Sequence, residues 1–234
     1  MTFKEIIEKR RSMRKYDKKH VFDHEAVQRS LELAVLAPNS SNMQLWEFYR
    51  IIDPHLKTKV AAICMGQNTA KTASELVVFV TRQDKYKERA QWNLESKKKL
   101  NLTKGIEKDI KYYGKQMPIF YKYDLLGFST LIRFLFTTFA AFKKPFMRHY
   151  SQSDLRTILH KTIALAAQTF MLSMVNEGYD TCPMEGFDEI RLKKLLNLPK
   201  IAEIAMVVSC GKGLPEGIYT PRLRVPNEEV IFKL

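Results

Sequence analysis

Arginines are concentrated in two short stretches at opposite ends of the chain. The first is RRSMRKY at residues 10–16 and the second is PRLRVP at residues 221–226, which between them contain Arg10, Arg11, Arg14, Arg222 and Arg224. Guanidinium groups so close in sequence repel one another unless an anion or solvent separates them. A guanidinium also offers paired donors in one plane, which suits phosphate oxygens. The pattern therefore admits either a phosphate site or a solvated run of charge.

Two further segments carry polar groups of a kind that binds ligands. They are APNSSNMQLWEF at residues 37–48 and CPMEGFD at residues 182–188. Short amides and hydroxyls can donate and accept hydrogen bonds, and glycine lets the main chain approach a ligand closely. Each segment also has a plainer interpretation, because PNSSN is typical of a polar turn and EGFD could cap a helix that begins near Asp188.

Several motifs for self-sufficient chemistry are absent from the sequence. The glycine-rich phosphate loops GxGxxG and GxxxxGK[ST] do not occur, and neither do HExxH and GxSxG. The five histidines show no metal-ligand spacing, so no metal site is predicted. The chemistry would then come from a bound cofactor, unless the protein only binds a partner.

Taken together and in this order, the four segments closely resemble the motifs of the FMN-dependent nitroreductase family. The resemblance spans the chain except for its middle part. In that family an N-terminal RxSxR and a C-terminal P[KR]xRxP grip the flavin phosphate. The resemblance thus implies phosphate contacts by Arg10, Ser12, Arg14, Arg222 and Arg224.

The same resemblance assigns two polar segments to the flavin. The loop of the AP[ST]xxNxQPW type meets the flavin from the partner subunit, which implies contacts by Pro38, Asn39, Ser40 and Asn42. Asn39 replaces a small hydroxyl residue of that pattern, and Leu45 replaces a proline. A looser match implies contacts with the ribityl chain or the ring edge by Gln67 and Asn68, and a charge near the reduced flavin from Lys71. An ordinary exposed helix end is the alternative for these last three.

The turn of the CPMEGFD segment is expected to lie against the isoalloxazine ring. The resemblance implies contacts there by Pro183, Met184, Glu185 and Gly186. A main-chain N–H at this turn can hydrogen-bond flavin N5, and Glu185 can order a water or a substrate proton. Glu185 and Gly186 are therefore the expected catalytic residues. Cys182 is interpreted as packing rather than redox-active, because it has no resolving partner nearby.

The family implies a fold and a reaction. The expected fold is α+β, with a central, mostly antiparallel sheet surrounded by helices in an intertwined homodimer that holds FMN at its interface. The expected reaction is ping-pong hydride transfer from NADH or NADPH to a small aromatic acceptor, such as a nitroaromatic or a quinone. Ene reduction, dehalogenation and flavin cleavage remain alternatives on the same fold.

Hydrophobic periodicity supplies the elements that must position these segments. It predicts helices over residues 2–11, 22–38, 54–64, 153–178 and 189–199, strands over 46–53, 75–81 and 202–211, and an extended tail over 221–234. Asp23 is the expected N-cap of the second helix, and Ser153 or Asp154 that of the long core helix, which Gly178 ends. Scattered strands among more numerous helices favour α+β over a doubly wound sheet. A single domain is predicted over residues 1–234, with an insertion at about 84–150.

The insertion is the individual part of this chain. Residues 84–122 are helical and strongly basic and are expected to form an exposed excursion, whereas residues 125–142 are almost all apolar. Arg133 lies in the middle of the apolar stretch and would cost about 2.5–3.5 kcal/mol in a bilayer. A helix buried in protein or lining a ligand pocket is therefore expected, with membrane contact as the alternative. The aromatic residues that could form a lid or channel, or simply pack in the core, are Phe120, Tyr121, Tyr123, Phe128, Phe134 and Phe136.

Composition limits the remaining function classes. The net charge of +14 admits nucleic acid, phosphorylated cofactors and acidic lipids as partners. A nucleic-acid site would use the lysines of residues 82–122 with Trp92, Tyr112 and Tyr113 between them, but lysine runs are more often solvated faces, and no nucleic-acid partner is expected. Three scattered cysteines and an N-terminus without an apolar signal core predict a cytoplasmic protein.

Overall fold

A four-stranded antiparallel sheet forms the centre of the protein. In a computed structural model, which describes residues 1–100, 105–124, 127–148 and 151–234, the strand order is β1-β2-β4-β3 and every neighbouring pair is antiparallel. The strands are β1 (Trp46–Ile51), β2 (Glu75–Thr81), β3 (Asp180–Met184) and β4 (Glu203–Gly211). The parts of the predicted insertion at 101–104, 125–126 and 149–150 lie outside the described residues.

Helices surround this sheet. They are α1 (Phe3–Lys9), α2 (His24–Ala34), α3 (Pro54–Ile63), α4 (Asn68–Thr72), α5 (Tyr86–Lys99), α6 (Ile106–Lys111), α7 (Met117–Tyr121), α8 (Phe128–Lys143), α9 (Gln152–Asn176) and α10 (Glu189–Leu195), with a π-helical turn at Tyr112–Gln116 between α6 and α7. The α+β arrangement agrees with the predicted fold class.

Strand β2 is buried on both faces, which explains its unbroken apolar sequence. Because side chains alternate along a strand, Leu76, Val78 and Val80 pack on one face with residues of α3 and α10. Val77 and Phe79 pack on the opposite face with residues of α2 and α9. The sheet therefore has one hydrophobic core on each side.

The helix caps follow the sequence with one exception. Asp23 accepts a hydrogen bond from the main chain of Glu25 at the start of α2, as predicted. The long helix α9 is capped by Ser151, and Asp154 completes a capping box as its third residue. The prediction of Ser153 or Asp154 as N-cap was therefore wrong. Gly178, at a φ of +86°, follows the C-terminus of α9.

Helix α9 is the core helix that its sequence predicted. Within the described parts of the chain, it is the one helix that is long and apolar enough to cross a bilayer, judged by length and composition. Most of this apolar stretch is buried inside the protein. Its apolarity therefore reflects packing against the sheet.

The basic half of the insertion packs against the body instead of standing free. Helix α5, the π-helical turn and α7 contribute buried side chains to a third hydrophobic cluster with residues before β1 and from α9: Met43, Leu45, Ala90, Leu94, Tyr113, Met117, Tyr121, Leu155 and Leu159. The expectation of an exposed excursion over 84–122 was therefore wrong. These helices are rich in lysine overall, but each has a few apolar residues on one side, and those residues are buried.

Helix α8 shows the opposite departure from expectation. The sequence predicted a helix that is buried in protein or lines a pocket, but the large apolar side chains of α8 are exposed in the single chain. Thr137 is its buried residue among those whose burial the structure describes. Hydropathy alone does not say what covers an apolar helix.

Candidate active site

The first arginine segment lies along the free edge of β3. Ser12 forms an isolated parallel bridge with Thr181, and the main-chain N–H of Met13 donates to the carbonyl of Thr181 at 3.1 Å. The N–H of Arg14 donates to the carbonyl of Gly217 at 2.8 Å. Because β3 is an edge strand, it also tolerates Pro183, which lacks an N–H for the ladder.

The second arginine segment is locked onto the first. Arg222 donates three hydrogen bonds to main-chain carbonyls at the end of α1, namely those of Ile7 at 3.1 Å, Glu8 at 2.9 Å and Arg10 at 2.6 Å. Arg11, which the phosphate motif does not include, donates to the carbonyl of Thr220 at 2.5 Å. These bonds stabilise α1 and hold the two ends of the chain together.

A cavity of about 430 Å³ lies between the two segments. Its lining residues are Arg10, Arg11, Ser12, Arg14, Ile218, Tyr219, Thr220, Pro221, Arg222, Leu223 and Arg224, with no carboxylate among these described residues. Burial, and then the guanidinium groups of Arg222 and Arg224, lower the pKa of Arg10. A cavity that concentrates cations and partly buries one of them fits a multiply charged anion such as phosphate.

A second cavity, of about 390 Å³, continues from this one towards the CPMEGFD turn. It is lined by Arg14, Gln67, Asn68, Thr69 and Tyr219, so it shares Arg14 and Tyr219 with the arginine cavity. Gln67 Nε2 donates to the carbonyl of Gly186 at 2.9 Å. The arginines, the start of α4 and the turn thus follow one another along a single surface.

The turn itself is accessible to a ligand. Met184 is buried at the end of β3, whereas Glu185 and Gly186 are exposed. A Cβ on Gly186 would lie 3.3 Å from Gln67 Nε2, so the main chain passes close to this side chain. An exposed main chain beside a carboxylate can hydrogen-bond a ligand ring and order a proton donor.

The loop predicted to meet the flavin has an unusual main-chain conformation. Ser41, Asn42 and Gln44 have φ values of 56°, 51° and 49°, a region that residues other than glycine seldom adopt. The insertion holds this strained loop in place. Asn42 and the buried Asn93 of α5 exchange two hydrogen bonds of 2.8 Å, and Tyr112 lies 2.7 Å from the Ser41 hydroxyl.

This loop lines a cavity of its own, of about 540 Å³. Pro38, Asn39, Ser40 and Ser41 form one wall, and the other lining residues are mostly apolar or aromatic: Tyr112, Met117, Phe120, Met147, Ile158, Lys161, Thr162 and Leu165. None of these described residues lines the arginine cavity. A single chain therefore does not bring the loop to the arginines.

Comparison with known proteins decides the family. The sequence model of the Nitroreductase family matches residues 7–212. The chain belongs to the nitroreductase family. The fold class, the FMN cofactor and the NAD(P)H oxidoreductase activity that the motifs predicted are thereby confirmed.

Individual nitroreductases resemble the chain over nearly its whole length. An oxygen-insensitive NADPH nitroreductase of Helicobacter acinonychis (strain Sheeba) is 24% identical over 233 residues, covering 97% of this chain and 94% of the relative. The solved structure of a nitroreductase family protein from Streptococcus pneumoniae TIGR4 superposes with a TM-score of 0.74 at 19% identity, and all of each chain is covered. A protein from Exiguobacterium sibiricum 255-15, solved in complex with FMN, gives a TM-score of 0.71 at 22% identity over 100% of this chain and 98% of its own.

Not every residue that the nitroreductase motifs suggested lies at this surface. Lys71 lines a separate cavity with Lys18 and Lys57 and is not among the residues that line the cavity of Arg14 and Asn68. Asn39 braces its own loop, because its side-chain oxygen accepts from the N–H of Gln44 at 2.9 Å. Flavin contacts by Lys71 and Asn39 stay predictions.

The predicted aromatic lid divides into two groups. Phe120 lines the cavity beside the loop, whereas Tyr121 is buried in the third hydrophobic cluster. Tyr123, Phe128, Phe134 and Phe136 are exposed. Of the aromatic residues considered for a base-stacking surface over 82–122, Tyr112 and Tyr113 contact the loop, whereas Trp92 is exposed.

Cys182 lies directly beneath the arginine segment. Burial raises the pKa of its thiol, although Arg14 and Arg10 oppose this shift. A fully buried thiol of raised pKa is a poor nucleophile. The structure therefore agrees with packing as the role of Cys182.

Sequence reasoning missed three contributors to the site. Tyr219 and Thr220 line the arginine cavity, and their position immediately before PRLRVP was the available signal. Asn93 holds the loop from inside a lysine-rich helix. Nothing in the local pattern singled it out, because its partner is 51 residues away.

Substitution of Gly217 tests how closely the two arginine segments must pack. A Cβ at this position would lie 2.7 Å from the carbonyl oxygen of Lys15 and would also collide with Met13 Sδ. Gly217→Ala is therefore expected to displace Arg14 and to weaken FMN binding about tenfold or more, because one charge-assisted hydrogen bond is worth about 1.5–3 kcal/mol. FMN titration checks this, with Gly114→Ala, whose Cβ would meet Leu94 at 3.8 Å, as the matched control. Equal FMN affinity in both variants would contradict the close packing.

Substitution of Asn93 tests the hydrogen bonds that join the insertion to the loop. Asn93→Ala removes a buried amide that donates to the carbonyl of Asn42 and accepts from its side chain. We expect a loss of about 1–3 kcal/mol in the free energy of unfolding, measured in urea, because the Asn42 groups lose their partners. Gln91→Ala, which removes an exposed amide of the same helix, is the control and is expected to change stability by less than about 0.5 kcal/mol.

Proposed function

We propose that two copies of this chain form the complete site, which reduces nitroaromatic, quinone or similar flat acceptors with electrons from NADH or NADPH. The observation that carries the proposal is the separation of the two cavities. The arginine segments and the CPMEGFD turn share one surface, whereas Pro38, Asn39 and Ser40 line another cavity. A second copy supplies the loop that one copy does not bring to its own arginines.

The chain's own residues suggest how FMN is held. Arg10, Ser12, Arg14 and Arg224 surround the phosphate, because they line the arginine cavity and the guanidinium groups of Arg10 and Arg14 have no hydrogen bond or ion pair within the described residues. Arg222 mainly positions Arg10 through the carbonyls at the end of α1. Gln67 and Asn68 line the continuation towards the ring. When bound, the flavin supplies the hydride chemistry that these side chains lack.

The turn at residues 183–186 is proposed to face the reactive ring. Pro183 and Met184 anchor it on the edge of the sheet through their register with Val208 and Val207. The exposed main chain of Gly186 donates a hydrogen bond to the ring, and Glu185 orders a water or a substrate proton. A side chain at Gly186 would press against the Gln67 amide, which would have to shift by a few tenths of an ångström.

Exposed apolar surface supports a homodimer. Phe3 and Ile7 of α1, and Leu33 and Leu36 at the end of α2, are exposed in the single chain. The tail from 221 onwards is extended and exposes Leu223, Val225, Ile231 and Phe232. Burial of such surface against a second copy is the usual source of stability in obligate dimers.

The cavity beside the loop favours a flat, apolar acceptor. Phe120 and Tyr112 offer aromatic walls, and Ser40 and Lys161 provide a few polar contacts. Mostly apolar walls with a few polar groups are typical of small-molecule sites.

We also propose that residues 1–234 form one domain with an insertion at about 84–150, and that the protein is located in the cytoplasm.

Mixed dimers test the shared site. One protomer carries Arg10→Ala and Arg14→Ala, and the other carries Ser40→Trp, which fills the cavity beside the loop. Each homodimer should retain little FMN and little activity. A mixed dimer should recover one complete site of two, with bound FMN and about half of the wild-type rate of NADPH oxidation.

A site formed within one chain predicts a different result for the mixed dimer. If each site belonged to one chain, every site in the mixed dimer would carry a substitution and no activity would return. Mixed dimers purified with two different affinity tags, with FMN counted per dimer, distinguish these outcomes. A mixed dimer of two wild-type chains with the same tags is the control.

A further inference from the structure

We propose that α8 docks the protein onto an anionic lipid bilayer, lying in the plane of the surface. The docking is independent of the proposed reaction and rests on the distribution of apolar and charged groups in residues 105–124 and 127–148, the described parts of the insertion after α5.

The apolar residues of α8 form one outward face. Phe128, Leu131, Ile132, Leu135, Phe136, Phe139 and Phe142 are between 49% and 83% exposed. At about 3.6 residues per turn, these positions lie within less than half of the helix circumference. The helix therefore turns its most apolar side away from the protein.

Two polar residues of α8, Thr130 and Arg133, form hydrogen bonds with the rest of the insertion. Arg133 donates to the carbonyl of Ile119 at 2.7 Å. Thr130 donates to Asp124 through both its N–H and its hydroxyl, at 2.7 Å. The single charge in the middle of the helix thus points into the protein, and the cost of Arg133 in a bilayer does not apply to the outward face.

The length of α8 favours lying in the surface over spanning it. The helix has 16 residues, which corresponds to about 24 Å. A hydrocarbon core of about 30 Å needs roughly 20 apolar residues. An apolar face of seven large residues with basic flanks is typical of interfacial helices.

Charge identifies the partner as an anionic surface. Lys122 before the helix and Lys144 and Arg148 after it are exposed. Residues 105–148 contain eight basic and three acidic side chains, and the whole chain carries a net charge of +14. Anionic headgroups complement this distribution. A symmetric contact between two α8 helices would instead bring the same flanking cations together.

Docking would also bring one cavity to the membrane. Met147, which follows α8, and Phe120 line the cavity beside the loop. An acceptor dissolved in the bilayer would then reach this cavity without crossing water. This consequence alone rests on the proposed function.

Vesicle flotation of the full-length, FMN-loaded protein tests the docking. We expect the protein to float with vesicles of phosphatidylcholine and phosphatidylglycerol in equal parts, and much less with phosphatidylcholine alone. The variant Ile132→Gln/Phe139→Gln should lower the bound fraction about tenfold or more, because each buried methylene contributes to partitioning. The control Trp92→Gln/Ile190→Gln removes exposed apolar side chains elsewhere and should float like the wild type.

A charge variant and a size measurement complete the test. Lys144→Glu/Arg148→Glu should weaken flotation. The control Lys194→Glu/Lys200→Glu reverses two exposed charges outside the insertion, on and after α10, and should not weaken it. Absence of flotation by the wild-type protein, or equal flotation of the α8 variant, would overturn the proposal. Light scattering that shows dissociation of a dimer in the α8 variant would overturn it too, by making this face an interface between copies.

Discussion

The double variant Arg10→Ala/Arg14→Ala is expected to bind FMN about 100-fold or more weakly than the wild type. Both side chains line the arginine cavity, and both lack a hydrogen bond or ion pair within the described residues, so they are available for the phosphate. A hydrogen bond to a charged group contributes about 1.5–3 kcal/mol, and about 1.4 kcal/mol corresponds to a factor of ten. Quenching of flavin fluorescence during titration measures the dissociation constant directly.

Riboflavin makes this experiment specific for the phosphate. It has the ring and the ribityl chain of FMN but no phosphate, so the double variant should bind riboflavin about as well as the wild type does. The variant Lys4→Ala/Lys9→Ala removes two cations from the exposed face of α1 and should leave both affinities unchanged. Equal losses for FMN and riboflavin would indicate disrupted folding, and unchanged FMN affinity would place the phosphate elsewhere.

Glu75→Ala is expected to lower the free energy of unfolding by about 3–5 kcal/mol. Glu75 is fully buried on β2 and pairs with Arg50 at 2.7 Å and with His24 at 2.7 Å. The hydrogen bond to this carboxylate raises the pKa of Arg50, which keeps the guanidinium charged. Removal of the carboxylate would leave Arg50 partly buried without its anion, a situation that costs this much in other proteins.

A half-exposed ion pair provides the matched control for Glu75. Glu203 pairs with Arg156 and His160 near the surface, and Glu203→Ala should cost about 1 kcal/mol or less. Unfolding in urea, followed by circular dichroism, compares the two variants. Similar costs for both would contradict the argument that burial makes the Glu75 cluster stabilising.

The main elements were predictable where one local signal dominated. The unbroken apolar run at 75–81 predicted β2 with its observed limits, because a strand buried on both faces has no alternation to obscure it. The nearly continuous apolar sequence of α9 likewise predicted a helix in the core. Strand β3 escaped prediction because it has five residues and includes Pro183, which an edge position tolerates. Helix α4 is equally short and mostly polar.

Tertiary packing decided the features that the sequence predicted wrongly. The insertion from α5 to α7 looked like a solvated face, yet Ala90, Leu94 and Tyr113 pack under the loop before β1. Helix α8 looked like a buried element, yet its apolar side faces outwards. In both cases composition describes a helix as a whole, whereas the burial of its apolar side chains depends on which face packs against the protein.

The site shows a similar division. Motif order suggested that Arg10 and Arg224 serve one ligand, and the structure places them on one cavity although 214 residues separate them. The structural bond between Arg222 and the end of α1 was not predictable, because it depends on where the tail crosses that helix. Asn93 was missed for the same reason.

The most direct test of the central claim is the visible spectrum of the purified protein after loading with FMN and removal of the excess. We expect the protein to retain flavin absorbance, and we expect that absorbance to bleach when NADPH or NADH is added without oxygen and to return when a quinone or nitroaromatic acceptor follows. That result would establish the oxidoreductase cycle with FMN in this chain. A colourless protein after loading, with Arg10 and Arg224 intact, would contradict the assignment of the arginine cavity to the flavin phosphate.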